Sequence, residues 1–386
     1  MSSLIELALI FLRLGCTAFG GPAAHLAMME QEFVVRREWL TKAEFLDRVG
    51  VASLIPGPSS TEVAIYIGYS RAGIPGLMLA GLCFILPAGL IVAAIAAAYV
   101  SYGALPAFQS ALSGIKPVVV GIIAQAIASL ATSGLNSWPK RVVFAIGVVF
   151  AGLGLGSLPI LFGGGIAIAA KSFFQERDWK SIKPMGLLLL GVAAVAAVPI
   201  AISLTMARAA APNPINLFLY FAKLGSVLYG SGYVLLSFLD RDLVGHLHWL
   251  SRPELLDASS VGQFTPGPVF TTATFIGYLR SGPMGAVAAT VGIFLPSFLF
   301  VAMTGKHLVN LRKAAASAAF LDGINAAALS LMVVVGYYFA ADAIQNSATA
   351  AIAVAAFLST RFYKVNSALL IALGAFLGLA FSHLVR

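Results

Sequence analysis

The strongest limit on this chain is the spacing of its polar residues. Apolar runs of about twenty residues, the length that carries a helix across ~30 Å of hydrocarbon, follow one another from end to end, parted only by short polar breaks. Inside a bilayer only helices and closed barrels satisfy their own backbone groups. Composition points the same way: 60% of the 386 residues are hydrophobic and 10% are charged, whereas a soluble domain carries about 25% charged residues. That argues against a soluble enzyme. Disorder is excluded as well, because it needs low hydrophobicity and high charge density. The chain reads as an all-α integral membrane protein with several crossings.

Candidate spans lie near 4–22, 48–68, 77–100, 108–131, 141–156, 158–175, 185–206, 215–233, 258–278, 284–304, 318–341, 347–360 and 365–384, about 13 in all. The first is read as a retained helix rather than a leader, since Arg13 interrupts it and no basic segment precedes it. Cys16 and Cys83 both sit in apolar runs, which argues against a disulfide framework or a thiolate metal site. The net charge of +9 comes from basic residues in the breaks. It is read as membrane orientation rather than nucleic-acid binding.

The sequence also repeats itself. Shifted by 210, residues 11–58 lie on 221–268 without a gap, and 15 of these 48 positions are identical. Leu14-Gly15 meets Leu224-Gly225, Trp39-Leu40 meets Trp249-Leu250, Asp47 meets Asp257, and Pro56-Gly57-Pro58 meets Pro266-Gly267-Pro268. After a one-residue deletion the shift is 209, and Ile67-Gly68-Tyr69, Arg71, Leu86-Pro87 and Gly114-Ile115 find their counterparts. The expected organisation is a first membrane repeat at 1–180, a linking span at 181–212 and a second repeat at 213–386. Six spans per repeat with one between them put the repeats in inverted topology. With the N-terminus inside, Arg71, Lys140-Arg141, the 171–183 basic cluster, Arg241, Arg252, the 306–313 cluster and Arg361/Lys364 fall inside, while the breaks at 101–107, 155–158 and 342–347 carry no Lys or Arg. The segment 30–48 breaks this pattern, and is either a surface amphipathic helix or the sign of a re-entrant first span. Inverted repeats around a midplane site are a common secondary-transporter architecture.

Enzyme constellations are missing: there is no His-Glu-x-x-His, Walker A or Cys/His cluster, and the five histidines are scattered. The chemistry lies instead in broken helices. Pro-Gly-Pro interrupts two apolar spans, followed by Ser59, Ser60, Thr61 and Glu62 in one repeat and by Thr271 and Thr272 in the other, with Gln263 and Thr265 just before the second break. Proline removes a donor and clashes with the preceding turn. The half-helix that follows offers free N–H groups and a positive dipole end to an anion. A mere kink is the plainer reading of one such break; two at equivalent positions favour a site. Gly20-Gly21 and Gly230 mark a second pair of flexible elements, read either as close approach to a ligand or as helix packing.

Ionisable residues within spans are functional candidates by default. Arg13 and Lys223 are equivalent, and suit either a dianion or snorkelling to the interface. Glu62 has no acidic counterpart, and is either a proton carrier or a partner of Arg13. Asp47 and Asp257 open the broken spans, where proton coupling and helix N-capping compete. Lys116 and its counterpart Asn325 are second-rank candidates, as is Gln263.

With these residues in place the chain resembles the chromate ion transporter family in its long, two-domain form. The resemblance rests on Phe11-Leu12-Arg13-Leu14-Gly15 leading to Phe19-Gly20-Gly21-Pro22, on Pro56-Gly57-Pro58-Ser59-Ser60-Thr61-Glu62, and on the run from Gly262-Gln263-Phe264-Thr265-Pro266-Gly267-Pro268 to Ile276-Gly277-Tyr278. Tyr229-Gly230-Ser231-Gly232 departs from it, where the family more often has Phe and consecutive glycines. The resemblance implies an inner-membrane carrier that moves chromate out of the cytoplasm, driven by the proton gradient or membrane potential, with sulfate as an isosteric competitor. Arg13 and Lys223 would neutralise charge, and Ser59, Ser60, Thr61, Thr265, Thr271 and Thr272 would donate hydrogen bonds. Gly57 and Gly267 would permit the breaks, and Glu62 would couple protons. Expected partners are chromate or sulfate and membrane lipid, with no nucleic acid and no cofactor; a homodimer is compatible with this reading.

Overall fold

A computed structural model of the protein describes residues 2–19, 21–53, 55–103, 105–176, 211–229, 232–304, 315–363 and 365–384. The expected linking span at 185–206, Gly20, Gly230, Ser231, and the basic residues Arg177, Lys180, Lys183, Lys306, Arg312, Lys313 and Lys364 lie outside the described residues. Among the described residues the protein is all helix. The first repeat runs α1 (Ser2–Thr17), α2 (Gly21–Glu30), a π-helix π1 (Gln31–Arg36), α3 (Lys42–Ala52), α4 (Ser59–Tyr102), α5 (Pro106–Gly134), α6 (Trp138–Gly152) and α7 (Ser157–Glu176). The second repeats that order: α8 (Pro214–Val227), α9 (Gly232–Leu239), π2 (Asp240–His246), α10 (Arg252–Phe264), α11 (Thr272–Thr304, entered through the 3₁₀ turn Val269–Thr271), α12 (Ala315–Ala343), α13 (Ser347–Phe362) and α14 (Ser367–Leu384).

Local chemistry sets these boundaries twice over. Thr41 and Ser251 cap α3 and α10, each in a reciprocal capping box with the glutamate three residues on, Glu44 and Glu254. The N-capping reading of Asp47 and Asp257 is therefore wrong, since both stand well inside helices that begin earlier. The Glu44 carboxyl is held below the ordinary carboxylate range by the backbone N–H and hydroxyl of Thr41. Downstream, α4 turns at Ala72-Gly73 and α11 at Ser281-Gly282, where Gly73 and Gly282 take φ of 59° and 61°. The turn is a reversal: an added Cβ on Gly68 would run into the Gly76 carbonyl, and one on Gly277 into that of Gly285. The expected spans 48–68 and 77–100 thus appear as separate limbs, the first of them broken between α3 and α4.

Among the described residues, and by length and composition alone, Ser59–Tyr102, Pro106–Gly134, Val269–Met303 and Ala318–Ala343 are long and apolar enough to cross a membrane, the first and third of them doubling back at Gly73 and Gly282, and Ser157–Ser172, Ser347–Phe362 and Ser367–Ala380 are shorter apolar helices. The first apolar run is two helices, of 16 and 10 residues, about 24 and 15 Å long at 1.5 Å per residue. Thirteen is therefore a number of apolar runs, not of unbroken crossing helices.

The repeats interlock reciprocally. Helix α5 packs on α13 and α14, and α12 packs on α6 and α7, while α4 and α11 pack on each other. Glycine allows the approach. A Cβ on Gly114 would collide with the Gly374 carbonyl, and one on the equivalent Gly323 with that of Gly164.

Candidate functional site

The two motif pairs of the sequence meet in space, and they do so across the repeats. At the first break Gly57 takes φ 136° and its N–H donates to the Leu228 carbonyl at 2.7 Å. At the second, Gly267 takes φ 89° and its N–H donates to the Ala18 carbonyl at 2.8 Å. Each Pro-Gly-Pro break is thus clasped by the chain just before the glycine element of the other repeat. Positive φ is available to glycine at little steric cost, and both breaks lie buried at the meeting of α4 and α11.

Around this symmetric backbone the side chains differ. A Cβ on Gly57 would collide with Ser297 Oγ and lie 2.5 Å from Glu62 Oε1, whereas one on Gly267 would lie 2.7 Å from the Cβ of Ala88. Ser297 and Ala88 are equivalent positions, so the first break is polar and the second apolar on this side. Ser297 Oγ donates to Glu62 Oε1 at 3.2 Å, and Glu62 is fully buried. That contact, together with the pairing of Arg13 described below, removes the reading of Glu62 as the partner of Arg13.

Sequence reasoning missed His25. Its side chain is 1% exposed and bridges two parts of the site. Its Nε2 lies 3.0 Å from the Ala18 carbonyl, which also accepts from Gly267, and its Nδ1 lies 3.1 Å from Ser60 Oγ. A carbonyl only accepts, so Nε2 carries the hydrogen and, in the neutral ring, Nδ1 accepts from the Ser60 hydroxyl. Its counterpart in the second repeat is Leu235, and so the duplication could not flag it.

The remaining candidates fall into three groups. Among the hydroxyls, Thr265, Thr271 and Thr272 donate to the carbonyls of Val261, Pro268 and Val269, so their hydrogens are engaged locally. Ser59 is half-buried at the start of α4, and Thr61 is buried with no hydrogen-bond partner for its Oγ1 among the described residues. Gln263 is buried and donates to Ser259 Oγ at 3.4 Å. Gly21 opens α2 at φ 77°.

The cations pair with acids of the π-helices: Arg13 with Glu32 at 2.5 Å and Lys223 with Asp242 at 3.5 Å. Glu32 and Asp242 are equivalent under the 210 shift. Burial pushes the Glu32 carboxyl up, but the guanidinium groups of Arg37 and Arg13 outweigh it and hold the group below its ordinary value. Elsewhere, Asp257 is buried against Lys116 at 3.1 Å and accepts from the Tyr99 hydroxyl at 3.0 Å. Its counterpart Asp47 lies exposed on α3. Asn325 lines a separate cleft of about 440 Å³ beside the Lys140–Asp322 pair.

This arrangement offers two buried half-helix starts, backbone tied across the repeats, and hydroxyl groups on one side. Helix starts of this kind carry the donors and the dipole end that suit an anion. The sequence profile described as Chromate transporter matches residues 5–170 and 215–379, covering both repeats. The chain belongs to the chromate transporter family. Chromate transporter relatives include the chromate transport protein of Cupriavidus metallidurans, 33% identical over 380 residues, 98% of this chain and 93% of that one. The probable chromate transport protein of Synechococcus elongatus is 32% identical over 84% of this chain and 82% of its own. The chromate transport protein of Pseudomonas aeruginosa is 30% identical over 83% of this chain and 77% of its own. No solved structure matches the chain.

Proposed function

We propose that this protein is a secondary transporter that exports chromate across the inner membrane, driven by the proton gradient or the membrane potential. In this reading the N-terminus is cytoplasmic, and the repeats at 1–180 and 213–386, joined by a span at 181–212, are inverted and rock about the paired breaks. The observation that carries it is the reciprocal clasp of the two Pro-Gly-Pro breaks, with Gly57 bonded to Leu228 and Gly267 to Ala18. It sets two helix N-termini, each a natural anion seat, at the interface that alternating access must work. The names of the relatives supply the tetrahedral dianion, and the hydroxyls of Ser59 and Thr61 suit its oxygens. Glu62 is the residue assigned to proton coupling.

Sulfate has the same shape and charge, and the seat is made of backbone and hydroxyl groups that serve either oxyanion. The deciding measurement is chromate uptake into inverted vesicles containing the purified protein, with and without a proton gradient, and with sulfate as competitor. Accumulation that sulfate blocks only at large excess is the expected result. Equal or better handling of sulfate moves the function to general oxyanion transport, uptake included. Absence of flux for both from folded protein sinks the substrate reading.

A further inference from the structure

Glu62 lies against the first Pro-Gly-Pro break. It belongs to the first turn of α4, and its Oε1 lies 2.5 Å from the place of a Cβ on Gly57, so the carboxylate folds back over the break from which the helix starts. The residue is wholly buried. One oxygen takes the hydrogen bond from Ser297, while Oε2 and the neighbouring Thr61 Oγ1 have no hydrogen-bond partner among the described residues. The Ser297 hydroxyl from α11 touches this carboxylate, and the Tyr229 phenol from the stretch between α8 and α9 lies near enough to interact with it electrostatically; His25 of α2 bonds Ser60, two residues before it in the chain. Among the described residues no Lys or Arg pairs with it; Arg13, Lys116 and Lys223 are taken by Glu32, Asp257 and Asp242.

A buried carboxylate with no cation is costly. What the fold supplies instead is the dipole of the positive end of α4, where the Ser59 and Ser60 amides precede the helical ladder while those of Thr61 and Glu62 already donate to the Pro58 carbonyl. The Ser59 and Ser60 amides are the groups that would receive an oxyanion, and two anions in one seat repel. We propose that the Glu62 carboxylate is the resident occupant of the anion seat at the first break, and that an oxyanion enters only as Glu62 takes up a proton. The proposal rests on the oxyanion reading above and deepens it. The second repeat has no such occupant, because Thr271 and Thr272 stand in the equivalent turn and Ala88 replaces Ser297. One seat of the two is gated.

The charge balance follows. One dianion and one proton occupy the protein together and leave together, so each cycle carries one net negative charge. Of the two driving forces in the reading above, this leaves the inside-negative potential as the one that drives export, and an inward proton gradient opposes it. By linkage, oxyanion affinity rises as pH falls, approaching tenfold per unit where Glu62 is ionised in the empty protein.

Equilibrium binding of radiolabelled sulfate to the full-length protein in detergent tests this, because sulfate stays a dianion from weakly acid to alkaline pH while chromate itself protonates. Wild type is expected to bind more tightly as pH falls. Glu62→Gln is expected to bind with a flat pH profile, and Ser297→Ala, which removes the hydroxyl holding the carboxylate, to retain binding to higher pH. A flat wild-type profile overturns the proposal, as does a Glu62→Gln slope equal to that of wild type. So does loss of all binding in folded Glu62→Gln while wild type binds. Should Glu62→Gln not fold, a Ser297→Ala profile identical to wild type overturns it. If wild type binds neither sulfate nor chromate at any pH, the oxyanion reading falls and takes this proposal with it.

Discussion

Gly57 and Gly267 are held to glycine by conformation and space together. An L side chain at φ 136° or 89° costs about 1–3 kcal/mol, and the added Cβ meets Ser297 and Glu62 at one break and Ala88 at the other. Gly57→Ala and Gly267→Ala are expected to lower folded yield and chromate flux, both measurable by size-exclusion and vesicle assay. Gly21→Ala is the contrast, because its φ is 77° but nothing lies within 4 Å of the added atom, so only the conformational cost applies. These glycines were legible in the sequence, since Pro-Gly-Pro inside an apolar run must interrupt the helix that the run would otherwise form. His25, Ser297 and the pairing of Arg13 with Glu32 were not. Each is a contact across 19 residues or more, and a single sequence carries no sign of which distant side chains meet.

At the level of elements, the duplication marks more than the broken spans. Thr41-x-x-Glu44 and Ser251-x-x-Glu254 are in register and spell the start of a capped helix, which places the acids at 47 and 257 inside it rather than at its edge. The π-helices had no such signal. Six or seven residues of π-helix are rare and frequent at functional sites, and here each presents one acid to the cation of the preceding long helix. For Glu32 the consequence depends on pH. Its carboxyl is lower in the folded protein than the ordinary 4.5, so its stabilising contribution is present above that value and is lost as pH falls through the folded one. Glu32→Gln should therefore melt below wild type at neutral pH in detergent, with the gap closing under acid. A gap that persists unchanged in acid would rule out the charge as its source.

For the molecule as a whole, the inter-repeat seams at Gly114 and Gly323 carry the packing. Gly114→Val and Gly323→Val push a side chain into the carbonyls of Gly374 and Gly164, and overpacking of this kind costs about 1–3 kcal/mol or more. Both are expected to melt earlier than Gly89→Val, whose added atom meets nothing within 4 Å. The duplicated order of elements was visible in the sequence as far as the 210 shift held. That the end helices of one repeat cover the fifth helix of the other was not, because both seams are lined by the small residues common to any membrane helix. The clasp at the breaks has a longer reach. It joins main chain to main chain, so only its donor positions demand a particular residue, and the acceptors serve equally well as Ala18 or Leu228. After the ancestral copy arose, the two halves could drift apart in side chains, the first acquiring Glu62, His25 and Ala88 and the second Thr272, Leu235 and Ser297, without loosening the tie. A duplicated gene product could in this way become a division of labour within one chain.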